Sequence, residues 1–293
     1  MIETHRGRDA LLFLLPIGVV YAVFLVGPIF GSFFLSMSSY DIIRPPRFVG
    51  FENFVRLVQS ERSRTIFLNT FRITLILIVL HASIGFMLAL LVMSLHRLVQ
   101  GIMRTIIYLP VILTTASMAI AWVFLLNREF GVFNWVLGSL FRLEPIAWLT
   151  SSRYVFSTIS IFSVWKFIGN SFMYYYIGLM SIPKDYFEAA YIDGAGAFAR
   201  FRYITLPLMT PTIFFVVMVL CIQTIQIFDE PFFLTRGGPG DASRTINLYI
   251  YETAFRNYDL GFASAISISL LVLLVIFTIF QLKFSTLWVT YER

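Results

Sequence analysis

Charge is scarce in this chain of 293 residues: Asp, Glu, Lys and Arg together make up 13%. Soluble domains carry about 25%. Cysteine is scarcer still, with Cys221 alone inside an apolar stretch. A single thiol excludes an intrachain disulfide and a cysteine-cluster metal site. His5, His81 and His96 lie far apart and show no ligand spacing. The sequence also lacks G-x-x-x-x-G-K-[ST], so it does not bind and hydrolyse ATP by that route. H-E-x-x-H and G-x-S-x-G are absent as well. Two near-matches fail on context. Gly194-Ala-Gly196-Ala-Phe-Ala199 has the form of a dinucleotide fingerprint, but no strand pattern precedes it. Gly238-Pro-Gly240-Asp241 has the G-x-G-D form of intramembrane aspartyl proteases. No second intramembrane Asp is spaced to share its proton.

What the chain has is apolar mass. Hydrophobic residues make up 58% and aromatic residues 17%, and the mean hydropathy is +0.82. A water-soluble globule and a disordered chain are both excluded. The net charge of +6 is scattered through loops, with no run of five like charges, so nucleic acid is not a partner. The apolar residues gather into six stretches of about the 20 residues that span a bilayer as a helix. They fall at 11–35, 71–95, 105–126, 154–180, 206–228 and 263–282. The predicted fold is therefore an all-α membrane protein of six transmembrane helices in a single domain. The first stretch is longer than a signal-peptide core and has no small-x-small site after it, so it reads as a retained span. Six spans put both termini on one side. That side holds nine Lys and Arg in 55 loop residues, against eleven in 96 on the other. The positive-inside rule favours termini inside by a narrow margin.

Polar residues interrupt the spans, and such groups face a bundle interior or a wet cavity. In the fourth span Lys166, Asn170 and Tyr174 share a helical face beside Trp165 and Tyr175. In the fifth, Gln223, Gln226 and Glu230 share a face, with Asp229 adjacent. At about 1.5 Å per residue, Lys166 lies about 18 Å from Tyr154, and Gln223 about 26 Å from Leu206. Two readings stay open for these stripes. They line a substrate path, where amides and hydroxyls meet sugar hydroxyls and aromatic faces stack on the ring. Or they are interhelical glue at about 0.6 kcal/mol each. Arg72 reads as snorkelling at the outer edge, and His81 as a hydrogen-bonder within the bundle.

The most specific signal is the loop 181–205. Pro183 ends the fourth span, and Lys184 to Tyr191 reads as a short helix with Asp185 near its positive end. Gly194 and Gly196 supply a bend, after which Phe198 to Ile204 resumes a helical pattern. Glu188-Ala189-Ala190, then three residues, Gly194, nine residues, and Ile204-x-Leu206-Pro207 resembles the EAA loop. That loop marks the permease subunits of bacterial ABC importers. Phe48-Val-Gly-Phe-Glu-Asn-Phe54 resembles the first outer loop of the carbohydrate-type permeases. Phe228-Asp-Glu-Pro-Phe-Phe-Leu-Thr-Arg-Gly-Gly-Pro239 resembles their segment after the fifth span. With the final helix, the similarity covers nearly the whole chain.

The resemblance implies a type I ABC importer permease architecture, with a cytoplasmic coupling helix seated in a cleft of an ATPase subunit. Glu188, Ala189, Ala190, Asp193 and Gly194 would be the docking element, and Ile204, Leu206 and Pro207 its exit into the fifth span. It implies a bacterial cytoplasmic (inner) membrane location with both termini cytoplasmic. The implied partners are a second permease, two ATPase subunits holding ATP and Mg, and an extracytoplasmic solute-binding protein delivering a carbohydrate. The chain itself would hold no cofactor and would not be an enzyme. The outer loop 229–262 has a turn at Gly237 to Gly240 and a short helix from Thr245 to Phe255. By resemblance it meets the binding protein. The competing reading is a stand-alone ion-coupled secondary transporter or channel.

Overall fold

The computed structural model describes residues 13–289. Residues 11 and 12 of the first expected span, and residues 1–10 and 290–293 of the termini used in the orientation count, lie outside them. The described chain is helical apart from loops and one antiparallel pair, β1 (Ser38–Ser39) with β2 (Arg47–Phe48). In chain order the helices are α1 (Phe13–Ser36), α2 (Glu52–Gln59), α3 (Glu61–Met93), α4 (Arg97–Ile112), α5 (Thr115–Leu125) and α6 (Val132–Phe141). They continue as α7 (Val155–Ser181), α8 (Lys184–Ile192), α9 (Ala197–Leu208), α10 (Thr210–Ile225), α11 (Asp229–Leu234), α12 (Ile246–Tyr251) and α13 (Leu260–Ser285).

Three of these, α1, α3 and α13, are long and apolar enough to cross a membrane. Two bent pairs, α4–α5 at 93° and α9–α10 at 59°, raise the count to five if each is one span. The fourth expected stretch forms the helix α7, whose 27 residues give about 40 Å of length, but it is not among the helices apolar enough to cross. Its Ser and Thr residues, Lys166 and Asn170 dilute its apolar character. Most of that polar face is buried against neighbouring helices rather than turned outward.

The third expected span is a broken helix, and the break has a chemical cause. Pro110 removes a backbone N–H from α4. Leu113 and Thr114 are extended, and α5 starts afresh. The last carbonyls of a helix have no partner within it. Here the Lys166 ammonium donates to the carbonyls of Pro110 (2.7 Å), Val111 (3.1 Å) and Leu113 (2.8 Å). A cation at a helix C-terminus also meets the negative end of its dipole.

The chain divides into two compact units: the chain up to Arg64 with Tyr249–Val272, and Thr65–Leu248 with the chain from Leu273 on. In the first, the Asn53 amide donates to the carbonyls of Ser36 (3.0 Å) and Ser38 (2.9 Å), tying α2 to the end of α1. Arg56 pairs with Asp259 at 2.7 Å and lies over the Phe262 ring. In the second unit α7 is the hub. One apolar cluster gathers Ala89, Phe172, Tyr175, Met209 and Val216 around it, and another gathers Ile73, Leu77, Ala119, Ile159 and Phe162.

Gly169 sets how closely α4 approaches α7. A Cβ there would sit 2.9 Å from the Ile107 carbonyl oxygen and 3.0 Å from Tyr108 Cα, so backbone would have to shift. Gly169→Val is expected to destabilise the fold by about 1–3 kcal/mol, as overpacking does. A lower melting temperature of the purified protein in detergent checks this, with Gly101→Ala, beside open space, as the tolerated control.

Candidate functional site

Three helices of the second unit converge on a cavity of about 320 Å³. From α3 come Leu77 and His81. From α7 come Ser163, Phe167, Asn170, Ser171 and Tyr174. The end of α10 adds Val219, Leu220, Gln223 and Thr224, and the turn into α11 adds Gln226 to Glu230. Small-molecule sites are mostly apolar walls with a few converging polar groups, in about 300–1,000 Å³. This cavity fits that description.

The structure brings together six of the eight expected path residues: Asn170, Tyr174, Gln223, Gln226, Asp229 and Glu230 all line the cavity. Trp165 and Lys166 do not. The Trp165 ring packs on Trp122 (5.3 Å) and Phe162 (6.1 Å). The Lys166 ammonium is held by the α4 carbonyls.

Several polar contacts fix the wall. The Ser163 hydroxyl donates to Glu230 Oε1 at 3.0 Å, and both residues are buried. The Thr224 hydroxyl donates to the Leu220 carbonyl, completing the α10 end. The Thr245 hydroxyl and the Asn247 amide donate to the carbonyls of Ile227 (2.8 Å) and Gln226 (2.6 Å). These bonds satisfy backbone that leaves the helix at Gln226. Tyr174 meets Phe215 edge to face at 5.3 Å.

His81 is 2% exposed, and its buried Nδ1 has no hydrogen-bond partner among the described residues. The sequence reading made it a hydrogen-bonder within the bundle, but Nδ1 makes no such bond. Ser163, Phe167 and Ser171 line the cavity without being expected there from the sequence. Ser163, Phe167, Asn170 and Tyr174 recur at i, i+4, i+7 and i+11, a narrow helical stripe. That spacing was readable, but Lys166 drew attention to a neighbouring stripe.

The loop after α7 forms the second candidate site. α8 covers Lys184–Ile192, with Glu188, Ala189, Asp193 and Gly194 exposed and Ala190 half-buried. Large apolar side chains stand out from this loop, among them Tyr191, Ile192, Phe198 and Tyr203. The helix closes with a left-handed glycine. Gly194 has φ +75°, its N–H bonds to the Tyr191 carbonyl, and the Ala195 N–H reaches back to Ala190. This pair of bonds satisfies the terminal carbonyls and turns the chain sharply. Ile204, Leu206 and Pro207 then lie half-buried in α9, which bends into α10.

Between α11 and α12, the segment from Thr235 to Ser243 is closely knit rather than loose. The Thr235 and Ser243 hydroxyls lie 2.7 Å apart, Ser243 donates to the Gly238 carbonyl, and Arg244 pairs with Asp241. The Asn69 amide donates to the Asp241 carbonyl at 2.8 Å.

A lipid-compatible helical chain with an inward polar cavity and an exposed loop of apolar side chains is a membrane transport component. Residues 53–286 match the family described as the binding-protein-dependent transport system inner membrane component. The chain belongs to that family, the permease subunits of ABC importers. It is 34% identical to the trehalose/maltose transport system permease protein MalF of Thermococcus litoralis, covering 96% of this chain and 95% of the relative. It superposes with a TM-score of 0.86 and 26% identity on a chain of a bacterial ABC transporter that imports the acidic polysaccharide alginate. That match covers 97% of this chain and 98% of the other. A second structure shows a bacterial alginate ABC transporter in complex with a periplasmic protein carrying an alginate pentasaccharide. The match there is TM-score 0.85 and 25% identity, over 95% and 94% of the two chains. This chain is therefore a transporter subunit of the inner membrane rather than an enzyme. The stand-alone transporter reading is not favoured.

Proposed function

We propose that this chain is one permease half of an ATP-driven carbohydrate importer, and that the α3–α7–α10 cavity is its share of the cargo path. The observation that carries this reading is the convergence of Asn170, Tyr174, Gln223 and Gln226 on one cavity between helices. Uncharged amides and a phenol exchange hydrogen bonds with sugar hydroxyls, and Phe167 offers a ring face. The cargoes of two relatives, trehalose/maltose and alginate, are both carbohydrates.

In this reading α1, α3, α4–α5, α7, α9–α10 and α13 are the six crossings of a single permease domain. Both termini and α8 lie on the cytoplasmic side. Along the apolar stretch of α1 no residue is buried within the chain, which suits lipid and a second permease. Two ATPase subunits with ATP and Mg dock at Glu188, Ala189, Ala190, Asp193 and Gly194. Ile204, Leu206 and Pro207 carry the motion into α10. A solute-binding protein delivers cargo at the outer loops. ATP binding draws the coupling helices together and opens the cavity outward, and hydrolysis resets it.

Asn170→Ala and Gln223→Ala are each expected to raise the KM for uptake about 2–10-fold, the loss of one neutral hydrogen bond. Vmax and the amount of protein in the membrane stay near wild type. Initial-rate uptake in proteoliposomes checks this. Lower protein levels with an unchanged KM would mark both residues as interhelical glue instead.

A further inference from the structure

The cavity has a charge pattern that bears on which carbohydrate it passes. We infer that its cargo is an uncharged polyhydroxy compound, and that His81 is a specificity contact for one of its hydroxyls. This rests on the assignment of the cavity to the cargo path. Asp229 and Glu230 both line the cavity, and among the described lining residues none is Lys or Arg. Recognition of phosphate, sulfonate or carboxylate relies on such cations, through charge-assisted and often bidentate bonds. Lys166, the basic residue of α7, turns away from the cavity, and its ammonium already donates to the carbonyls of Pro110, Val111 and Leu113. An anionic cargo would therefore meet the exposed Asp229 carboxylate with no Lys or Arg among the described lining residues to offset it. Like charges brought close together repel, the more so where water is partly excluded. That is a repulsive element against one class of ligand, which is how many sites gain specificity.

The attractive half is neutral. Asn170, Gln223 and Tyr174 offer donors and acceptors. His81 adds an imidazole whose buried Nδ1 has no partner among the described residues. A buried polar atom without a partner is costly. A hydroxyl seated beside the ring removes that cost.

The test uses this chain purified with its co-purifying permease and ATPase partners, without binding protein. Matched probe pairs are added at millimolar concentration: glucose with glucuronate, maltose with maltose 1-phosphate, and glycerol with glycerol 3-phosphate. Thermal stabilisation is read for each. The expected result is stabilisation by the uncharged member of at least one pair, with its anionic twin at least tenfold weaker. Asp229→Lys, at an exposed position, is expected to narrow that gap. His81→Leu is expected to weaken the uncharged probe at least fivefold, and His81→Gln less. An anionic twin that stabilises as well as its neutral partner overturns the inference and leaves the carbohydrate permease intact. So does an unchanged preference in Asp229→Lys. An unchanged affinity in His81→Leu removes His81 from the contact. Stabilisation by no probe at all sinks the parent assignment of the cavity.

Discussion

Gly194→Asp is expected to reduce ATP-driven uptake to background while the protein inserts at wild-type levels. The magnitude of the local strain separates two explanations. Gly194 has φ +75°, a conformation that costs a non-glycine residue about 1–2 kcal/mol. A loss of that size rarely unfolds a protein by itself. A Cβ at this position meets nothing within 4 Å, so the chain has room for the new side chain. A complete loss of transport then reports on whatever covers this surface, which we propose is the ATPase cleft. Gly194→Ala carries the backbone strain without the carboxylate and is expected to keep part of the activity. Glu188→Lys, exposed on the same helix, is expected to match Gly194→Asp. The measurements are uptake, ATPase stimulation by the binding protein, and co-purification of the ATPase subunits. Normal uptake in both Gly194→Asp and Glu188→Lys would sink the docking assignment.

Lys166→Met should damage the fold more than the transport kinetics. Methionine keeps much of the stem volume and removes the ammonium. Carbonyls of Pro110, Val111 and Leu113 then lose their donor at the α4 end. A fully buried unsatisfied acceptor costs about 1–3 kcal/mol; these three bonds are partly buried, so a loss of about 1–3 kcal/mol in all is expected. It appears as a lower melting temperature and a lower yield of assembled complex. Lys166→Arg keeps the charge, but its planar fork suits three converging carbonyls poorly. It is expected to fall between wild type and Lys166→Met. A path residue would behave differently. An unchanged melting temperature with a raised KM would restore Lys166 to the cargo path.

These two residues also mark how far the sequence could be read. Gly194 was legible because its signal is local: a glycine at a fixed offset after Glu188-Ala189-Ala190, where a helix must stop and turn. The left-handed cap follows from those few residues alone. Lys166 was visible as an anomaly, a charge inside an apolar span, but its partner was not. The carbonyls it holds lie 53 to 56 residues earlier in the chain. They became acceptors only because α4 breaks near Pro110. The same holds for the polar stripe on α7. At about 100° per residue, Lys166 and Asn170 lie close enough on the helix wheel to read as one face. Neighbouring helices decide that Ser163, Phe167, Asn170 and Tyr174 face the cavity while Lys166 turns to α4.

The sequence by itself determined that this is a helical membrane chain, where most apolar stretches lie, and that a short capped helix interrupts them. Those properties follow from composition, periodicity and nearby residues. It also carried the family, through the Glu188 to Pro207 pattern. Tertiary structure alone decided the 93° break between α4 and α5, the capture of Lys166, and the convergence of α3, α7 and α10 on one cavity. It also left His81 buried with Nδ1 unpartnered. Each depends on contacts between residues tens of positions apart. No window of sequence contains both partners of such a contact, so packing between helices had to decide them.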